Sequence, residues 1–420
     1  MELSRRAVGK LIGVAAVGAA TAGSLGSFPA AAQEIESSPQ TTFRLFPHTN
    51  GPRTPASYKG KFLAGVAFEV TAGGCWLEGY WWWVCHRKQS TKPQKFALWQ
   101  VYFRGKFEGT LIKSATVDSR RLHAGRWNYV ALKRPVPLAI GATYVVATGL
   151  NGNFPITKHV FGKGDRHSSG IKSGPLFAYS DSSGLHPSPF GGSQALFSVA
   201  GNDPTKRVPT EGDGESSNFW MDLQISDRAP KGATHRLWPN YPFIPGTFSN
   251  DTGEQTTGTE FKLSQSCHLA KIWFYSPPGA KELPSRCAVW DVPKRSVVAG
   301  TDKQSPSWSG RAGSGWVSVS YSGVTLPKGD YKTAIFSAGG HLFYQENVDY
   351  FSSGPGKNGI TAGPLSSPNV AKAAPCISNS LGTQVTGNST YQDGPWSYPF
   401  TFDTKDHGEN RWVDVEVTPA

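Results

Sequence analysis

The chain repeats itself once, and no other feature constrains its fold as much. Arg44-Leu45-Phe46-Pro47 returns as Arg236-Leu237-Trp238-Pro239, Cys75 as Cys267, and Asn218-x-Trp220-x-Asp222 as Asn410-x-Trp412-x-Asp414, each 192 positions later. Between these anchors the offset drifts and recovers. Ala97-Leu98-Trp99 answers to Ala288-Val289-Trp290 at 191, Trp127 to Trp316 at 189, Tyr144 to Tyr331 at 187, and Gly174-Pro175-Leu176 to Gly363-Pro364-Leu365 at 189. Drift with preserved order is what duplicated domains show when loops change length and strands stay in place. The expectation is two tandem modules, residues 44–226 and 236–418, joined by a polar linker at 227–235. Each is long enough to bury a core of its own.

Residues 1–32 read as an export signal: Ser4-Arg5-Arg6 with Lys10, an Ala/Gly-rich apolar stretch from Leu11 to about Leu25, and Ala30-Ala31-Ala32 before Gln33. The adjacent arginines resemble a twin-arginine signal, with Val8-Gly9 in place of the usual Phe-Leu pair. A general secretory signal is the alternative, and residues 33–43 follow as an N-terminal linker. No later run approaches the roughly 20 apolar residues of a membrane span. The expected location is secreted, extracellular or associated with the cell wall. The formal net charge is +12, most of it outside the signal. Such an excess favours an anionic partner, and outside a cell that means wall polymers, acidic glycans or headgroups rather than nucleic acid. Because the charges are scattered, a solvated basic surface is the plain alternative.

Five cysteines leave at least one thiol unpaired within the monomer. Cys75 and Cys267 are equivalent, whereas Cys85, Cys287 and Cys376 have no counterparts. With 75–84 as one strand, Cys75 and Cys85 lie about 30 Å apart, beyond disulfide reach. Pairings involving Cys287 or Cys376 stay open, and no C-x-x-C or close Cys/His set points to zinc.

Within each module the grammar is that of short strands, with 48 Gly and 31 Pro in the chain and almost no helical apolar period. Strands are predicted at 62–70, 77–84, 97–103, 127–132, 143–149 and 219–225, and again at 259–263, 269–275, 288–292, 316–321, 331–337 and 412–417. Such strands with long irregular connections predict an all-β protein of two antiparallel, jelly-roll-like β-sandwiches. Alternation assigns the faces. Val413, Val415 and Val417 take the core, while Trp412, Asp414 and Glu416, and by parity Trp220 and Asp222, look outward from it. Ile272 and Phe274 share one face with their counterparts Tyr80 and Trp82; Trp273, Tyr275, Trp81 and Trp83 take the other.

The Gly65-x-x-Phe68 and Gly258-x-x-Phe261 openings carry a resemblance. So do Leu269-Ala270-Lys271-Ile272-Trp273-Phe274-Tyr275, the Leu98-Trp99 and Val289-Trp290 pairs, and the closing Asn-x-Trp-x-Asp strands. In these the chain resembles a family of secreted actinobacterial modules catalogued as a domain of unknown function, found as repeated β-sandwiches beside adhesin-like or glycan-active domains. The resemblance covers most of both modules and implies fold and secretion, with glycan binding an association only. The Trp81-Trp82-Trp83 run and the basic insert from His86 to Lys95 depart from that pattern.

Aromatic residues are the main functional signal, at 14 Trp, 14 Tyr and 23 Phe. Exposed flat rings suit the apolar faces of sugars when polar side chains stand beside them. Trp81, Trp83 and Trp99, with Trp273, Tyr275 and Trp290, are the candidate glycan platform if their strands are neighbours; rings kept in both copies also serve packing. Asp222 and Asp414 are expected to hold loop backbone rather than to catalyse. Glu211, Asp213 and Glu215, and Asp403, Asp406 and Glu409, are the acids near the module ends where a structural calcium is conceivable. Their unequal spacing fits no fixed calcium loop, and no cofactor is expected. His123, His159, His167 and His186 have no counterparts in the second module and read as solvated loop histidines. No nucleophile elbow, zinc-protease, phosphate-loop or dinucleotide motif occurs. The chain reads as a secreted non-catalytic protein that binds a carbohydrate or anionic cell-wall glycan. A structural envelope or matrix protein is the alternative, followed by a polysaccharide-degrading enzyme with its site between the modules.

Overall fold

The computed structural model describes residues 41–46, 51–52, 56–85, 94–103, 107–181, 195–199, 201–212, 215–239, 247–251, 253–338, 342–347, 349–378, 384–402 and 408–420. Residues 1–40, which hold the expected export signal and most of the expected linker, most of the basic insert after Cys85, and His186 lie outside them. Alternating apolar runs do form strands: each of the twelve predicted segments overlaps one, and each of these strands pairs antiparallel with its neighbours in sheets stacked as sandwich-like layers. In the first half these are β1 (Thr42–Phe43), β2 (Ala56–Val70), β3 (Trp76–Val84), β4 (Gln94–Phe103), β5 (Phe107–Val117), β6 (Arg126–Pro137), β7 (Thr143–Phe154) and a closing strand, Met221–Ser226. β5 was not anticipated, because its Gly, Lys and Ser residues break the apolar alternation.

One sheet runs β1, closing strand, β3, β6; the other has β2, β7, β4, β5 in order, extended beyond β2 by short strands. The second half pairs its strands in the same order. Val413–Pro419, Cys267–Ser276 and Gly315–Ser320 answer to the closing strand, β3 and β6, and Gln255–Leu263, Gly329–Ser337 and Arg286–Asp291 to β2, β7 and β4. No named strand of 42–226 pairs with one of 247–419. Between the sheets lie Phe68, Tyr80, Trp82, Phe96, Tyr144, Met221, Leu223 and Ile225, all fully buried. Each such side chain contributes about 1.5–3 kcal/mol of burial. The ring pair Phe68–Tyr144, 5.6 Å between centroids, recurs as Phe261–Tyr331 at 5.5 Å.

The repeated anchors form a clasp that ties the first segment of each half to its last strand. Asp222 accepts backbone N–H from Leu45 (3.0 Å), Phe46 (2.9 Å) and Leu223 (2.8 Å), with the Arg44 Nε at 3.4 Å. Asp414 does the same for Leu237 (3.2 Å), Trp238 (3.2 Å) and Val415 (2.7 Å), with the Arg236 Nε at 3.2 Å. Trp220 and Trp412 precede these acids with φ of 55°, a conformation non-glycine residues rarely hold. The Asn218 and Asn410 side chains stabilise it by accepting the two Trp backbone N–H groups at 2.8 and 3.0 Å. Val413, Val415 and Val417 are core, as alternation predicts, yet Asp222, Trp412 and Asp414 are also sealed from solvent. They do face away from the central layer, but the clasp segment covers them, and parity along one strand carries no information about a segment some 180 residues away. Burial pushes the Asp222 carboxyl up to about 6 against the opposing pull of Arg44 and the three N–H groups, so it is ionised at neutral pH.

The halves meet at a packed joint. His235 stands where the first half has Phe43, and both rings lie on a glycine, Gly363 and Gly174 (φ 61° and 54°). A β-carbon there would fall 2.3 and 2.2 Å from the ring above it. The His235 ring also meets Trp76 edge-on at 6.2 Å. A β-carbon on Gly73 would lie 2.5 Å from the Thr361 carbonyl, and the residual cavity between Cys75, Trp76, Leu138 and His235 is about 10 Å³. That cavity has room for about one water. The thiols are packing groups: Cys75, Cys267, Cys287 and Cys376 are free and buried, and Cys85 is buried as well. Burial pushes Cys75 up to about 12, and Cys287 and Cys376 to about 11, which keeps them protonated and unreactive.

Two outcomes follow. Asp222→Ala strands two loop N–H groups and a half-buried guanidinium, and urea unfolding is expected to show a loss of about 3–5 kcal/mol; a loss under about 1 kcal/mol contradicts the clasp. Burial lowers the proton affinity of His235 below that of the unfolded chain. Its contribution to stability is therefore complete above about pH 6.5 and declines as pH falls below that value. The melting temperature of His235→Phe, which restores the first half's residue, should fall less between about pH 7.5 and pH 5 than that of the parent.

Candidate functional site

The six candidate rings do not share one face. Trp81 and Trp83 lie on β3 in the four-stranded sheet, whereas Trp99 lies on β4 in the other sheet; Trp273 and Tyr275 are separated from Trp290 in the same way. Each ring also has packing partners, and Trp81 and Trp273 keep partial exposure. The Arg44 guanidinium lies 3.9 Å over Trp81, and Arg236 lies 4.0 Å over Trp273. Trp83 donates to the Pro52 carbonyl (3.0 Å) and packs edge-on against Trp127. Trp99 donates to the Pro204 carbonyl (2.7 Å), Trp290 lies against Trp396 and Tyr398, and Tyr275 is 2% exposed beside Trp316. The rings leave the core as alternation predicts, but residues distant in sequence then lie over them.

Open surface is found next to Trp81. Among the described residues Tyr129 is the one exposed aromatic ring, at 39%. It sits on β6 directly across from Trp81, ring centroids 4.8 Å apart. The neighbouring β3 residue, Gly79, has no side chain; a β-carbon there would strike the Tyr129 ring at 2.6 Å. Burial of its inner edge, and then Glu78, push the Tyr129 hydroxyl up to about 12, so it stays a neutral hydrogen-bonding group.

Tyr129 lines a cleft of about 640 Å³ between the ends of β5 and β6, with Arg121, His123, Arg126, Trp127, Asn128 and Lys133 among its walls. Both strands are edges of their sheets, so the sandwich is open on this side. A single 3₁₀ turn, Ser119–Arg121, and the turn after it bridge the opening. Asn128 fixes that second turn: its Oδ1 accepts the His123 N–H (2.7 Å) and its Nδ2 donates to the carbonyls of His123 (2.9 Å) and Arg126 (3.0 Å). The one acid of the lining, Asp118, is ion-paired with Arg120 at 2.6 Å. Hydrogen bonds from Arg120 hold its carboxyl down at about 2; ionised, it offsets the charge of Arg120 and acts more weakly on Arg121. Arg121, Arg126 and Lys133 are exposed.

The second half lacks this arrangement. Trp316 and Ser318 pair with Tyr275 and Trp273 as Trp127 and Tyr129 pair with Trp83 and Trp81. Gly315, Val317 and Ser318 thus replace Arg126, Asn128 and Tyr129. Sequence reading missed the cleft, although the crowding of Arg120, Arg121, His123, Arg126, Lys133 and Arg134 into one stretch without a counterpart was a usable signal.

Among the described residues the other acids and histidines do not gather into a site. Glu215 pairs with Lys158 and Glu409 with Arg411, Glu211 is exposed, and Asp213, Asp403 and Asp406 lie outside the described residues. Among the described residues no three His, Cys, Asp or Glu side chains are grouped to hold a metal. His159 is exposed, and the His167 ring rests against Phe161.

What distinguishes the second half is a buried couple of opposite charges on the outer face of its larger sheet. Glu260 and Lys332 pair across neighbouring strands, each 1% exposed, where the first half pairs Ala67 with Val145. Lys332 donates to Thr390 Oγ1 (2.8 Å) and the Pro399 carbonyl (3.2 Å), and Glu260 accepts the Ala374 N–H (2.8 Å). Burial brings Lys332 down to about 8 and raises Glu260. With no solvent access, the two side chains hold Ala374, Thr390 and Pro399 against the sheet.

Residues 49–221 match a family described as a domain of unknown function, DUF4082; the match covers none of the second half. No curated protein matches the chain. Among solved structures the chain is similar to a clostridial cysteine protease, Cwp84, after propeptide cleavage, at 10% identity and a TM-score of 0.29, covering 82% of this chain and 72% of that one. It is also similar to the cysteine protease and lectin-like domains of Cwp84, a surface layer associated protein of Clostridium difficile, at 12% identity and a TM-score of 0.26, covering 79% and 59%.

The contrast between the halves generates a double-mutant cycle. Glu260→Ala and Lys332→Val each leave a buried charge behind and should cost about 3–5 kcal/mol. The double variant, which carries the first half's residues, should lose less than the sum by about 1–3 kcal/mol. Strict additivity in denaturant unfolding excludes the coupling.

Proposed function

We propose that this chain is a secreted, non-catalytic binding protein that recognises an anionic glycan at the β5–β6 cleft of its first half. One observation carries the reading: one open cleft combines an exposed ring with Arg121, Arg126 and Lys133, whereas the otherwise parallel second half has Gly315 and Ser318 where Arg126 and Tyr129 stand. A sugar's apolar face suits Tyr129, while acidic substituents suit forked guanidinium donors held by a rigid turn. The positive net charge assists encounter with an anionic surface. Among the described residues no helix is long and apolar enough to cross a membrane. Export rests on the arginine-containing leader and places the ligand outside the cell.

A second reading, a structural envelope or matrix protein without a ligand, is favoured by the twin clasps and by the packing of all six candidate rings. The two readings differ in one measurement. Retention on immobilised acidic polysaccharides at about 0.15 M salt is expected for the parent, with at least a tenfold loss for Arg121→Ala/Arg126→Ala. Neutral polysaccharides are expected to retain neither. Equal retention on neutral and acidic polymers, or none on either, discards the anionic-glycan reading. Trp81→Ala and Trp273→Ala should instead lower the melting temperature, because those rings support Arg44 and Arg236.

A further inference from the structure

Positive charge extends beyond the cleft. Along β6 the register places Ala131 opposite Gly79 and resumes with Val136 opposite Leu77, so residues 132–135 bulge from the ladder. That bulge carries Lys133 and Arg134, both exposed, on a strand whose far edge is unpaired. Bulges and lysines on edge strands commonly serve to prevent sheet-to-sheet pairing. Arg121, His123 and Arg126 do not fit that role: they occupy the turn before the strand and its first residue, held there by Asn128. The edge therefore has a basic group at each end with the exposed Tyr129 ring between. At about 3.3 Å per residue, Arg126 and Lys133 stand about 20 Å apart along the strand.

This separation sets the size of the ligand. At physiological ionic strength the screening length is about 8 Å, so the two basic groups act almost independently on mobile ions. A small anion gains from one of them only. A chain with anionic groups at both ends of the span gains from the second at high effective concentration. Building on the reading of the cleft as a glycan site, we infer that its ligand is a linear polyanionic glycan bridging the Arg121/Arg126 turn and the Lys133/Arg134 bulge.

Size-fractionated oligogalacturonates, with neutral oligoglucans of matching length as controls, test this by calorimetric titration. Affinity should rise at least tenfold once the oligomer spans about 20 Å, and then level off. Arg134→Ala, on the exposed bulge and outside the cleft lining, should abolish that step while leaving the affinity of short oligomers unchanged. Arg121→Ala/Arg126→Ala should weaken oligomers of every length. Equal affinity for the shortest and longest oligomers, or no effect of the bulge variant on long ones, overturns the bridging inference alone. Binding of no acidic oligomer of any length overturns the glycan reading along with it.

Discussion

Each half of this protein closes on one buried carboxylate. Asp222 and Asp414 take the backbone N–H groups of a segment that would otherwise lie loose on the sheet, and each brings an arginine down onto a tryptophan face. An aspartate in this position is costly to bury and is tolerated because its oxygens are filled from several directions. The left-handed tryptophan before it turns the chain into the closing strand, so strand entry, acid placement and ring cover form a single local arrangement. At Trp81 and Trp273 the same arrangement lays the Arg44 and Arg236 guanidinium groups over the ring.

Much of this was legible in the residues. Period-two alternation gave the strands and the core valines, and recurrence at a fixed offset marked Arg44, Asp222, Arg236 and Asp414 as repeated positions, with the two aspartates expected to hold loop backbone. What alternation cannot supply is the layer outside a sheet. Trp99 is covered by Pro204 and Trp290 by Trp396, each about a hundred residues distant, and nothing local to either tryptophan signals its cover. The cleft was hidden differently. Arg126 and Tyr129 acquire meaning only because β5 and β6 end two different sheets side by side, which is a property of topology rather than of spacing.

Differences between the halves carry more functional information than their likeness. Where the scaffold must be met, the residues match: Phe68–Tyr144 with Phe261–Tyr331, Asn218 with Asn410, Gly174 with Gly363. Where it is indifferent, the halves diverge in chemistry. Ala67 and Val145 become a buried Glu260–Lys332 couple that holds Ala374, Thr390 and Pro399 against the sheet, while Arg126, Asn128 and Tyr129 become Gly315, Val317 and Ser318 and the cleft is lost. One half thus uses its variable positions to secure its own surface, and the other leaves them open to solvent.

The clasp also has a consequence for the order of events in time. Arg44 and Asp222 lie almost at opposite ends of the first half, as Arg236 and Asp414 do in the second, so neither lock can engage until nearly all of its half has been synthesised. Before then the N-terminal segment has no partner and its tryptophans have no cover. A ribosome holding residue 222 inside its tunnel holds the first half unfinished, and the final strand of the chain determines when the second half stops being a polypeptide that can still be threaded and becomes one that cannot.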